Sequence, residues 1–220
     1  MLCGTENPYF LIFDFATSPA LLYYTYIPAI LISLFLGFFV LKKDKGSLAS
    51  KLLFLITLFF SLWVFDILIL WVASYNDALM LGWQLTPIFE VPLFIFSIYF
   101  TYVFTTKERR DINVSLKLVF IALMAGVFAI LPTQLNIPLY NLDNCEGVPG
   151  AFWNFMYVGE VIAIFWILGV CIGRYRAIPK GDPFKKEVLY FGIGIVSLLS
   201  VFNGSTLVGQ LTEIQTISYM

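Results

Sequence analysis

The clearest indication of the fold is the apolar stretch "SKLLFLITLFFSLWVFDILILWVAS", residues 50–74. It carries only two charged side chains, Lys51 at its start and Asp66 in its second half. A helix needs about 20 consecutive, mostly apolar residues to cross the hydrocarbon core of a bilayer, and this stretch is long enough. It lacks the strict alternation of a half-buried strand. It therefore predicts a membrane-spanning helix with one acid inside it.

The composition of the whole chain agrees with this interpretation. The 220 residues are 60% hydrophobic and 12% charged, with a mean hydropathy of +0.89. Soluble domains are about 45–50% apolar and about 25% charged, so a chain this apolar could not cover its surface with polar groups in water. We expect the lipid bilayer to be its main partner. The few basic residues do not indicate nucleic-acid binding, and no catalytic, cofactor or metal motif is recognisable.

The same reasoning along the chain predicts an all-α, multi-pass transmembrane bundle with six helices. They are expected near residues 20–41, 50–74, 79–105, 114–132, 151–173 and 187–210. Residues 1–19 are expected to form an extracytoplasmic segment, and residues 20–220 a membrane domain.

The positions of the basic residues predict the orientation. All 13 Lys and Arg fall in three connections: Lys42, Lys43, Lys45 and Lys51; Lys107, Arg109, Arg110 and Lys117; Arg174, Arg176, Lys180, Lys185 and Lys186. Positive charge remains on the cytoplasmic side, so the N-terminus is expected outside a plasma (inner) membrane, as is the tail after residue 210. An N-out protein that acts in the cytoplasm needs a seventh helix, and we therefore expect the sequence to be a fragment.

Four polar residues are predicted at one depth of the membrane. Counted from the outer helix ends at 1.5 Å per residue, Asp66, Glu90, Glu160 and Asn203 lie roughly 10–17 Å below the outer boundary. No base is expected at that depth, so desolvation and mutual repulsion disfavour charged carboxylates, and we expect some to be protonated and hydrogen-bonded between helices. Each acid either ties helices together separately, or shares an outward-opening pocket for a proton, a cation or a small polar ligand.

Two further features accompany these acids. Glu90 lies between Pro87 and Pro92, and proline inside a helix favours a kink, which suits a binding site or hinge as well as it suits plain packing. Cys3 and Cys145 are both predicted outside, where they either form a disulfide or remain free thiols. The outer loop before residue 151 is expected to fold back on itself.

Aromatic residues near helix ends are expected to anchor the protein at the membrane interface. These are Tyr23, Tyr24, Trp71, Trp83, Trp153 and Tyr190.

Several of these stretches resemble a known family. "GVPGAFWNFMYVGEVIAIFWILGVCIGRYR" (147–176) and "KKEVLYFGIGIVSLLSVFNG" (185–204) resemble helices five and six of the seven-helix membrane sensor region of bacterial histidine kinases. "LFLITLFFSLWVFDIL" (53–68) and "LGWQLTPIFEVPLFIFSIYFTYVFT" (81–105) are similar to its second and third helices. The resemblance covers nearly the whole chain but includes no catalytic motif.

This resemblance implies a membrane-embedded signal-input domain that is itself non-catalytic. A seventh helix and a cytoplasmic histidine kinase module would follow, so the partners implied are a second copy in a homodimer, a response regulator and an unidentified small ligand. Two alternatives stay open. The chain could be a proton- or cation-coupled secondary transporter that uses Asp66, Glu90 and Glu160, or a non-catalytic subunit of a membrane complex.

Overall fold

The computed structural model describes residues 20–73, 76–106, 111–141 and 146–218, with side chains for 23–73, 77–106, 111–141 and 146–204. Within these ranges the chain forms six helices and two short strands. The helices are α1 (Ala20–Lys43), α2 (Leu48–Val72), α3 (Asn76–Thr105), α4 (Val114–Ile130), α5 (Ala151–Ala177) and α6 (Phe184–Ser218). The strands β1 (Leu139–Asn141) and β2 (Glu146–Val148) lie between α4 and α5.

The predicted all-α bundle is confirmed. Five of the described helices are long and apolar enough to cross a membrane, as a multi-pass helical membrane protein requires. The exception is α4, whose 17 residues span about 25 Å, near the lower limit for a crossing.

Some helix ends differ from the prediction for identifiable reasons. α4 ends at Ile130 rather than at residue 132, because its last helical hydrogen bond runs from Leu131 N–H to the Val127 carbonyl and Pro132 has no N–H to continue the series. α5 continues to Ala177 and includes Arg174 and Arg176, which were expected in a loop. Long basic side chains can reach the interface from a helix end, so their charge does not end the helix.

α3 lies at the centre of the bundle. It contacts α2, α4, α5 and α6, whereas α1 packs on α2. The main core forms between α2, α3, α5 and α6, where Leu52, Leu93, Ile167 and Leu199 are at most 2% exposed.

Burial is inverted relative to a soluble protein. Phe35, Phe155 and Val201 are 66%, 76% and 73% exposed, whereas Glu90 and Ser97 are completely buried. Many large apolar side chains lie on the outer surface of the bundle, whereas several polar side chains lie in its interior. That distribution fits hydrocarbon as the solvent.

The connection between α4 and α5 folds back, as expected, into an antiparallel hairpin in which Tyr140 pairs with Gly147. Gly147 lies against α3 so closely that a Cβ at this position would be 2.9 Å from the Trp83 ring. The hairpin therefore rests on the first turns of α3. The proposed Cys3–Cys145 disulfide lies outside the described residues.

Asn136 joins this connection to α3 and α5. It is completely buried, and its Nδ2 donates to the carbonyl oxygens of Gln84 and Leu131, each at 3.1 Å. Its Oδ1 accepts a hydrogen bond of 2.9 Å from Trp153 Nε1. Trp153 is 2% exposed, so its predicted role as an interfacial anchor is wrong, whereas Tyr24 is 72% exposed and remains available for one.

A small polar cluster links the end of α3 to the start of α4. Asp111 accepts hydrogen bonds from Lys117 Nζ and from the Tyr99 hydroxyl. The hydrogen bond from Lys117 is the largest cause that holds the pKa of Asp111 below its ordinary value. The cluster fixes the start of α4 near the end of α3.

Candidate functional site

The four polar residues predicted at one depth all lie inside the bundle, one on each of four helices. Asp66 on α2, Glu90 on α3, Glu160 on α5 and Asn203 on α6 are 4%, 0%, 3% and 4% exposed. We call Asp66, Glu90 and Glu160 the carboxyl cluster. Glu90 lies within electrostatic range of both other carboxyl groups, so the structure brings the three together.

Asp66 has a defined partner on α3. Thr86 Oγ1 lies 2.7 Å from Asp66 Oδ2 and 3.1 Å from the carbonyl oxygen of Gly82. The Thr86 hydroxyl donates to the Asp66 carboxyl and also lies close to a carbonyl oxygen of its own helix. Gly82 makes room for Leu70 of α2, since a Cβ there would lie 2.8 Å from Leu70 Cδ2, whereas its 3.4 Å distance to Asp66 Oδ1 is an ordinary contact.

Glu160 joins α5 to α6. Its Oε2 accepts a hydrogen bond of 2.6 Å from Asn203 Nδ2, while its Oε1 is buried with no hydrogen-bond partner. One oxygen of this carboxyl group thus has a hydrogen-bond partner, and the other has none.

Glu90 is the unusual member. Its carboxyl group lies within interaction range of Glu160 and of the Trp63 indole, yet neither pair meets hydrogen-bond geometry. Both oxygens of Glu90, and Trp63 Nε1, are buried without a hydrogen-bond partner. Native structures leave few buried polar atoms unsatisfied, so such a group calls for an explanation.

Trp63 was not identified from the sequence. It packs on Phe202 of α6, with ring centroids 4.2 Å apart, and this contact places the indole beside Glu90. The available signal was its position three residues before Asp66, which puts the two side chains on one face of a helix.

α3 remains helical through both prolines. Pro87 and Pro92 are each less than 2% exposed. Because proline has no N–H, the carbonyls of Trp83 and Ile88 lose their usual partners four residues later. The weakened backbone surrounds Glu90, while the kink itself stays a prediction.

A row of hydroxyl groups continues along the same face of α3. Ser97, Thr101 and Thr105 are at most 3% exposed, and each donates to the carbonyl four residues earlier at 2.7–2.8 Å. This row was not predicted from the sequence, although the spacing of four residues between its hydroxyl groups is visible there. We call Glu90, Ser97, Thr101 and Thr105 the polar row.

Among the residues that the structure describes, no group of three or more His, Cys, Asp or Glu side chains is placed to hold a metal ion. The chain matches no family model, no characterised protein and no solved structure in the three comparisons made. The resemblance to sensor kinases therefore stays a prediction, and the site rests on its own geometry.

Proposed function

We propose that this chain is a membrane-embedded signal-input domain whose carboxyl cluster responds to protonation. The observation that carries the proposal is Glu90, which is completely buried, has two unpartnered oxygens and faces the half-satisfied carboxyl of Glu160. A purely structural carboxyl would be expected to have hydrogen-bond partners, as Asp66 has in Thr86.

The chemistry gives the cluster two states. A neutral Glu90 can donate its proton to Glu160 Oε1 after a small side-chain shift, which would draw α3 and α5 together. A charged Glu90 loses several kcal/mol of hydration and repels a charged Glu160, and no Lys or Arg of the described residues offsets that repulsion. Charging would therefore separate α3 from α5 or admit water.

The helix that carries Glu90 is suited to respond. Pro87 and Pro92 weaken its backbone hydrogen bonding on both sides of the acid, so bending there disturbs few other bonds. α3 also contacts four other helices. A shift of α3 would therefore bias the arrangement of the whole bundle between two packed states.

Trp63 provides the test, since its indole lies beside Glu90. The chain in lipid nanodiscs is titrated with acid and base, and the emission of Trp63 is obtained by subtracting a Trp63→Phe variant. We expect the emission to change with pH in the wild type and to lose that change in Glu90→Gln. Glu187→Gln is the matched control, because Glu187 is an exposed carboxyl at the start of α6.

Two results would contradict the proposal. The first is a Glu90→Gln variant that folds normally by circular dichroism and keeps the wild-type change of Trp63 emission with pH. Loss of the response in Glu187→Gln as well would assign it to general surface charge and would also contradict it.

A histidine kinase as the output rests on the resemblance alone. The genomic sequence after the codon for Met220 tests it directly. A reading frame that continues into a phosphoacceptor-histidine helix and an ATP-binding domain would support it, and a stop codon would contradict it.

A proton-coupled transporter is the second candidate, and the polar row favours it. Buried hydroxyl groups continue from Glu90 along α3 and could hold water or pass a proton. Proton flux into proteoliposomes that is lost in Glu90→Gln and in Thr101→Val would establish transport. A Trp63 response to pH without flux would favour the signal-input function.

A further inference from the structure

Besides the apolar groove that α3, α4 and α5 form, a smaller groove of about 300 Å³ lies between α5 and α6. Its lining comes from residues 168–175 of α5 and 188–197 of α6, which is a length of about 10–14 Å along the helices. Ile172 and Ile193, which line it, are 42% and 57% exposed. The groove therefore opens on the outer surface of the bundle, where the helices meet hydrocarbon.

One end of this groove meets a basic connection. Residues 174–187 carry five basic and two acidic side chains, a net charge of +3, and they include the end of α5 and the start of α6. The side chains of Arg174, Arg176, Lys180 and Lys186 are exposed. An apolar groove thus ends at a positively charged rim at the edge of the membrane.

Lys185 connects the rim to the groove. Its Nζ donates a hydrogen bond of 2.9 Å to the carbonyl oxygen of Ile178 and lies 4.6 Å from the centre of the Tyr175 ring. Tyr175 also lines the groove, so these contacts hold the ammonium group at the groove's end. The carbonyl uses one of the three N–H donors of the ammonium, which leaves a donor for an anionic oxygen.

We propose that the groove binds an acyl chain of an anionic phospholipid whose phosphate accepts a hydrogen bond from Lys185. Basic pockets between transmembrane helices suit anionic headgroups, and the groove directly below the rim suits the chain. A zwitterionic phospholipid has the same chains and phosphate, but the net charge of +3 at the rim repels its cationic group. The inference does not depend on the proposed function, because the carboxyl cluster takes no part in it.

The experiment compares two photoreactive lipids with identical acyl chains, each with a diazirine on one chain. One is a phosphatidylglycerol and the other a phosphatidylcholine. The full chain in phosphatidylcholine nanodiscs receives a trace of either probe and is irradiated, and labelled peptides are identified by mass spectrometry. The measured quantity is the ratio of labelling by phosphatidylglycerol to labelling by phosphatidylcholine in residues 168–175 and 188–197.

α1 provides the internal reference for this ratio. Its exposed apolar face, with Leu31, Phe35 and Phe39, precedes a connection (residues 42–51) that has four basic side chains and one acidic side chain, also a net charge of +3. We expect the ratio at the groove to be about fivefold higher than in residues 31–39. That factor corresponds to the roughly 1 kcal/mol that one basic side chain contributes to binding an anionic lipid.

A pair of charge variants tests the phosphate contact. Lys185→Gln removes the ammonium group at the groove's end, and we expect the ratio there to fall to that of residues 31–39. Lys180→Gln is the matched control, because it removes the same charge from the same connection at an exposed side chain that does not line the groove. We expect it to keep most of the preference.

A pair of size variants tests the groove. Ser197 and Ser200 are both exposed on α6, but only Ser197 lines the groove. We expect Ser197→Phe to reduce labelling of the groove residues by both probes, and Ser200→Phe to leave it unchanged.

Three results would overturn the inference. Equal ratios at the groove and in residues 31–39 would mean that surface charge alone attracts the anionic lipid. Equal loss of the preference in Lys185→Gln and Lys180→Gln would mean that Lys185 makes no specific contact. Equal labelling in Ser197→Phe and Ser200→Phe would mean that the probes report bulk lipid. None of these results bears on the response of Glu90 to protons, which remains separately testable.

Discussion

At the scale of single residues, the three buried acids differ in what surrounds them. Asp66 has Thr86 and Glu160 has Asn203, whereas Glu90 has no hydrogen-bond partner among the described residues. The sequence placed all three acids at one depth because rise per residue and helix ends determine depth. It could not assign their partners, since these depend on how each helix is rotated about its axis.

The Asp66–Thr86 contact predicts a strongly non-additive pair of substitutions. Thr86→Val leaves the buried Asp66 carboxyl without this partner, so we expect the free energy of unfolding to fall by about 1–3 kcal/mol. Adding Asp66→Leu removes the unsatisfied group, and most of that loss should be recovered. The measurement is reversible unfolding in mixed micelles with increasing SDS.

Thr106→Val serves as the matched control for this pair. The Thr106 hydroxyl, just after the end of α3, donates to the carbonyl of Tyr102 in α3, so its removal leaves no carboxyl unpaired. A loss in Thr106→Val as large as that in Thr86→Val would contradict the proposed role of the contact with Asp66.

Trp153 shows where residue-scale reasoning failed. A tryptophan at a helix end fits both an interfacial anchor and a packed core residue. The structure selects the core because Asn136 supplies the buried indole with an acceptor. Asn136 itself lies in a connection, and nothing in its local sequence indicates that α3 and α5 meet at its side chain.

At the scale of helices, α1 and α2 associate through small and hydroxyl-bearing residues. Ser33 Oγ donates to the Thr57 carbonyl at 3.3 Å. Gly37 is so close to α2 that a Cβ there would lie 2.0 Å from Thr57 Oγ1. Small residues at a membrane helix interface allow the backbones to approach, which favours van der Waals packing where no hydrophobic force acts.

This packing predicts that Gly37→Leu separates α1 from α2. Overpacking of a close contact typically costs about 1–3 kcal/mol, and we expect a loss of that size in SDS unfolding. Gly194→Leu is the control, because a Cβ at Gly194 meets no atom within 4 Å. Equal stabilities of the two variants would show that α1 does not depend on close approach at Gly37.

Hydropathy predicted the helices well and their ends less well. Long apolar runs leave the backbone no alternative to helix in hydrocarbon, so the number of helices followed from composition. The ends depend on local chemistry instead, such as Pro132 after α4 or the arginines that α5 includes. The hairpin on α3 depends on Gly147, whose lack of a side chain matters only beside Trp83.

At the scale of the whole molecule, the bundle interior was harder to predict than its existence. Lipid-facing and core-facing positions are both apolar in these helices, so hydropathy does not determine which face of each helix is buried. The polar residues are the exception, because the membrane excludes them from its hydrocarbon side. The carboxyl cluster was therefore predictable as a layer, whereas the apolar groove that α3, α4 and α5 form beside Glu160 was not.

Because α4 is short, the most informative test of the whole molecule is to determine on which side of the membrane each connection lies. If the three basic connections share the cytoplasmic side, α4 must cross the membrane with 17 residues. In a background with Cys3→Ser and Cys145→Ser, Gly46→Cys and Lys180→Cys should then react with a membrane-impermeant maleimide from the cytoplasmic side. Leu135→Cys, at a position that is 55% exposed just beyond α4, should react from the other side. The native Cys171 is 6% exposed and should remain unlabelled in both cases.

Labelling of positions 46 and 135 from the same side would mean that α4 lies along the membrane surface. Position 180 would then react from the opposite side, because α5 would cross the membrane in the reverse direction.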